Sequence, residues 1–124
     1  MRKIQPSTLV KKLKKFQKWL NLDGWDIKIR YKSCDPDTVG EIDFCEPVEK
    51  TAIINISSKY FTKEGYNVSW NLDNIIIHEL IHIELWEQID RLPIDIKEHK
   101  KFKELEEYIC FRYAKIIGDM HKRR

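Results

Sequence analysis

From Ser7 to Leu20 the apolar positions Leu9, Leu13, Phe16 and Leu20 recur at helical spacing, while Lys11, Lys12, Lys14, Lys15 and Lys18 fill much of the remainder. The pattern predicts an amphipathic helix laid on a core, capped by Ser7 or Thr8 and stopped by the Asn21 to Gly24 stretch. The period then shortens to two. Trp25, Ile27, Ile29 and Tyr31 alternate with Asp26, Lys28 and Arg30, as in a half-exposed strand. After a turn around Asp35-Pro36-Asp37, Val39 to Phe44 reads as a second strand and Thr51 to Ile56 (TAIINI) as a third, the one best suited to the sheet centre. Short strands with short connections predict an antiparallel or mixed sheet rather than a doubly wound parallel one.

Residues 72–88 follow neither pattern. Ile75, Ile76, Ile77, Leu80, Ile81, Ile83, Leu85 and Trp86 make this stretch apolar around most of a helical circumference, which predicts a buried helix. The stretch before it, Ser58 to Trp70, has no persistent period, and Asp90 to Ile96, with Pro93, should reverse the chain. A second long helix is expected from Ile96 or Lys97 to Ile117, ended by Gly118, with an apolar face of Phe102, Leu105, Ile109, Tyr113, Ile116, Ile117 and Met120. The predicted class is α+β: an N-terminal helix and a small mixed or antiparallel sheet packed on the buried helix, followed by a long C-terminal helix bearing glutamates.

The chemistry sits inside the buried helix, where residues 78–82 read H-E-L-I-H. His78 and His82 lie one turn apart and can offer two imidazole nitrogens to one zinc ion, and Glu79 can reach a metal-bound water. Burying two histidines and a carboxylate among isoleucines is costly unless something satisfies them, and zinc would do so. A catalytic zinc takes three protein ligands and a water, so a third donor is needed. On a wheel of about 100° per residue, Glu106 falls roughly 40° from Phe102 and about 20° from Tyr113, on the expected apolar face, while Glu107 lies roughly 140° from Phe102 at its edge. Glu106 is the expected ligand and Glu107 its competitor. His99 reads as an early-helix surface residue and His121 as a tail residue, though either could donate. Tyr60, Tyr66, His99, Tyr108 and Tyr113 are unranked candidates for stabilising an oxyanion, and the Thr51 to Ser57 strand for pairing with an extended peptide.

Composition narrows the setting. A chain of 124 residues suits one domain, and 42% hydrophobic with 35% charged residues describes a folded protein. The N-terminus lacks the apolar run of a signal peptide and no window is apolar enough to span a membrane, so a cytoplasmic location is expected. Cys34, Cys45 and Cys110 have no paired spacing, and the four glycines are solitary, which excludes a zinc ribbon and a phosphate loop. The formal charge of +3 permits nucleic-acid binding without demanding it. A nucleic-acid-associated protease or binding module, suggested by the lysine-rich first helix, is the less favoured rival. A noncatalytic structural zinc domain is another. Oligomeric state is left open.

HELIH followed 24 residues on by Glu106, in KELEEYICFRYAKII, resembles the minimal gluzincin-type zinc metallopeptidases and is similar in layout to the ImmA/IrrE and SprT-like HExxH peptidases. The resemblance covers roughly residues 25–117, with HExxH its specific part. It implies a zincin-like fold, zinc held by His78 and His82, Glu79 as general base, Glu106 as the downstream ligand, and a peptide or protein substrate. The last helix has no NExxxSD-like sequence, the motif lacks the glycine and third histidine of metzincins, and the paired cysteines of SprT-like zinc ribbons are missing. The resemblance also implies that residues 118–124 can act as a latency tail, as in a zymogen, with Asp119 or His121 beside the metal.

Overall fold

Helix α1 (Pro6–Trp19) begins one residue before the serine expected to cap it. Gln5 is the cap, in extended conformation and without a side-chain hydrogen bond, and Pro6 takes the first helical turn, where its missing N–H costs nothing. Leu9, Leu13 and Phe16 point into the core. At the other end Asn21 adopts φ 58°, a left-handed conformation that asparagine tolerates. The computed structural model describes residues 4–35, 38–58, 72–89 and 100–122, and of positions 89, 102, 121 and 122 the backbone alone.

Strands β1 (Asp26–Lys32), β2 (Gly40–Glu46) and β3 (Thr51–Ser57) form a mixed sheet in the order β1-β3-β2. β1 runs parallel to β3, with Ile29 beside Ile54 and Tyr31 beside Ile56. β2 returns antiparallel on the other side, with an irregularity between Ile42 and Phe44 that leaves Asp43 outside the register. β3 is therefore the centre, as its isoleucines predict. Ala52, Ile54 and Ile56 face the helices. On the opposite face the buried Asn55 is satisfied by its neighbours: it accepts from Arg30 Nε at 2.9 Å and donates to Glu41 Oε1 at 3.2 Å. Being paired on both sides, β3 has no free edge for a peptide; among the described residues the edges of this sheet are β1 and β2.

Helix α2 (Leu72–Ile89) lies against the sheet and α1, and its side chains from Ile75 to Ile83 are all buried. Both its ends are fixed. Lys12 Nζ of α1 is 2.7 Å from Asp73 Oδ1 in the first turn, where an acid also complements the helix dipole. Near the last turn Trp25 Nε1 donates to Glu87 Oε2 at 3.2 Å. Gly40 lets the helix come close to β2, because a Cβ there would stand 2.7 Å from Ile75 Cγ2.

Helix α3 (Lys100–Lys122) runs antiparallel to α2, pairing Gly118 with Asn74 near one end and Glu106 with Trp86 near the other. It does not stop at Gly118. That glycine is buried inside the helix, and a Cβ on it would overlap the Asn74 side chain. The face of α3 turned to α2 carries Cys110, Ala114 and Gly118, three small residues at intervals of four. Leu105, Tyr113, Ile116 and Met120, expected to be part of the buried face, are 43–53% exposed.

Candidate metal centre

His78, Glu79 and His82 are buried in the middle of α2. The two imidazoles stand one turn apart with their Nε2 atoms 3.2 Å from each other. The carboxylate of Glu107, from α3, bridges them: Oε1 lies 2.8 Å from His78 Nε2 and Oε2 3.1 Å from His82 Nε2. Ligand atoms of His78, His82 and Glu107 all fall within 4.8 Å of one another, and among the described residues this is the one group with such convergence. Nitrogens bound tetrahedrally to zinc at about 2.0–2.1 Å stand roughly 3.3 Å apart, so the donors are spaced as a shared ion requires.

Glu106, expected as the third donor, meets the other side of His82. Its Oε2 accepts from His82 Nδ1 at 2.7 Å and from Trp86 Nε1 at 2.7 Å. The expected apolar face put Glu106 inward correctly but misplaced the centre of that face. The small residues Cys110, Ala114 and Gly118 mark the true contact, and Glu106 and Glu107 straddle it. Glu106 thereby reaches past His82 toward Trp86, while Glu107 reaches the gap between the two imidazoles.

Burial pushes the Glu79 carboxyl up to about 7; His82 opposes the rise and the acidic Glu107 and Glu41 add to it. Burial lowers His78, against the pull of Glu107. For His82 burial also disfavours the proton, but contacts with Cys110 and Glu106 outweigh it and push the imidazole up to about 10. Burial also raises the Cys110 thiol, which sits against His82.

The remaining candidates are dispersed. Tyr108 and Tyr113 are exposed on α3; the Tyr108 hydroxyl accepts from Arg112 at 3.3 Å, and Tyr113 stands about 10 Å beyond Glu106 along the helix axis. Tyr60, Tyr66 and His99 lie outside the described residues, as does the His121 side chain. Asp119 is exposed in the last turn of α3, about 18 Å along the axis from Glu107. For residues 118–122 to enter the site, that turn would have to leave Asn74 and unwind. Sequence reasoning missed Trp86, Cys110 and Glu41 as neighbours of the motif. The spacing of Cys110, Ala114 and Gly118 was the signal that could have found Cys110.

A buried His78-Glu79-x-x-His82 on one helix, with acids from a following helix closing over it, is the layout of a zincin-like active site. No described helix is long and apolar enough to cross a membrane. Comparison with family models, with curated proteins and with solved structures finds no match for this chain.

Proposed function

We propose that the chain is a zinc-dependent metalloendopeptidase of the gluzincin kind, sharing its layout in outline with the ImmA/IrrE and SprT-like peptidases. The observation that carries the reading is the convergence of His78, His82 and Glu107 beside a buried Glu79. Zinc held there would supply Lewis acidity, polarising a water and the carbonyl of the scissile peptide. His78, His82 and Glu107 would hold the ion, three protein donors being the number a catalytic zinc takes. Glu79 takes a proton from the attacking water on its carboxylate and returns it to the leaving amine. Burial, which favours the protonated carboxyl, suits Glu79 to a group that both takes and gives a proton. An extended substrate would join the edge of β2 that no described strand covers, whose Glu41 is near enough to Glu79 to influence its charge.

A structural zinc domain would need four protein ligands, and the described donor set contributes three. The test combines metal content with hydrolysis. Purified untagged protein should carry about one zinc per chain and cleave members of a library of unstructured peptides read by mass spectrometry. Glu79→Gln should keep the zinc and lose roughly 10²–10⁴-fold in rate. Full activity in zinc-loaded Glu79→Gln would sink the mechanism, and an inert zinc-loaded wild type would sink the peptidase.

A further inference from the structure

Two adjacent acids on one helix turn make different contacts with the same imidazole. The Glu107 side chain is 62% exposed and faces the Nε2 atoms; the Glu106 side chain is 13% exposed and faces Nδ1 of His82. Both hydrogen bonds received by Glu106 fall on one oxygen, Oε2, at 2.7 Å each. One donor is His82 and the other is Trp86, one turn further along α2, with its ring 5.8 Å from the imidazole. The indole N–H can only donate. It therefore anchors the carboxylate in place whatever His82 does.

This arrangement decides two things. When a cation displaces the Nε2 proton, a carboxylate at Nδ1 keeps the remaining proton on that nitrogen and leaves Nε2, which faces His78 and Glu107, as the lone-pair donor. A free acid beside a cation would also compete to ligate it, and Glu106 is held off by its two donors. We propose that Glu106 and Trp86 are a positioning pair that fixes the tautomer and orientation of His82 and reserves the third ligand place for Glu107. The inference rests on reading the cluster as a zinc site.

The experiment is a zinc titration of wild type, Glu106→Gln, Glu106→Ala, Trp86→Phe and Glu107→Ala, joined to nitrogen-15 spectra of the imidazoles and the indole without metal. Glu106→Ala should still bind one zinc, about 10–100-fold more weakly. It should also shift the Trp86 indole N–H resonance, whose acceptor is lost. Glu106→Gln keeps an acceptor oxygen of the same reach and should fall between Glu106→Ala and wild type; it also carries the test if the alanine variant does not fold. Trp86→Phe should weaken zinc several-fold, and Glu107→Ala should lose stoichiometric binding. The reverse pattern, with binding lost in Glu106→Ala and kept in Glu107→Ala, would make Glu106 the ligand and overturn the proposal. So would wild-type affinity in Glu106→Ala together with an unmoved indole resonance. A wild type that binds no zinc defeats the zinc site itself, and the metal-free spectra then show separately whether the Glu106 contacts exist.

Discussion

Helices α2 and α3 build the site between them, and they spend their apolar residues in opposite ways. On α2 the large side chains Ile75, Ile76, Ile77, Leu80 and Ile83 are buried to the last few per cent, so the helix is held by apolar area on several sides. On α3 Leu105, Tyr108, Phe111, Tyr113, Ile116 and Met120 face outward, Ile117 packs at the margin of the core, and the small residues Cys110, Ala114 and Gly118 are the buried ones. The difference teaches that size rather than hydrophobicity chose the contact face of α3. A glutamate side chain can reach between two imidazoles only if the two backbones come close, and bulky residues at the seam would hold them apart.

If that contrast is right, damage to the two helices should differ in kind. The largest stability loss is expected from Leu80→Ala, which opens a cavity in the most enclosed part of α2 and should cost on the order of 2–5 kcal/mol by urea unfolding. A smaller loss is expected from Gly118→Ala, where the added methyl must displace Asn74 or part the helices, at about 1–3 kcal/mol. Zinc binding separates the two cases further: Gly118→Ala should weaken it out of proportion to the stability lost, since it moves Glu107 relative to the imidazoles. The smallest effect belongs to Leu105→Gln on the outward stripe, within about 0.5 kcal/mol. A loss above about 2 kcal/mol there would show that the stripe is covered and would erase the contrast.

The same contrast explains what could be read from the chain. The change of period from about 3.6 to 2 marks α1 and β1 because each buries one face. The isoleucines of Thr51–Ser57 mark the central strand because it is covered by a neighbour on each edge and by helices on one face. That centrality also removes β3 as a place for an incoming peptide, which depends on the partner strands and not on β3 alone. His78, Glu79 and His82 are legible because their relation is local, fixed by one turn of one helix. The acid that joins them is not local. Its choice depends on how α3 is rotated against α2, and weighting the wheel by bulk turns it toward Leu105 and Tyr113 instead of Cys110 and Ala114. The glycine signal fails for a related reason: Gly118 serves close approach rather than termination, and only the position of Asn74 on another helix distinguishes the two.

The small seam has a cost of its own. Alanine, cysteine and glycine bury little apolar area per residue, so the contacts that the acids of α3 make on α2 carry a larger share of its attachment than they would at a seam of leucines. An ion shared by His82 and Glu107 would therefore also be a cross-link, closing the loop of residues 83–106 and holding a weakly packed helix in place. A chelator would then act first as a local unfolding agent. Amides of α3 would open to hydrogen exchange while those of α2, enclosed by the sheet and α1, stayed protected to the limit of global unfolding.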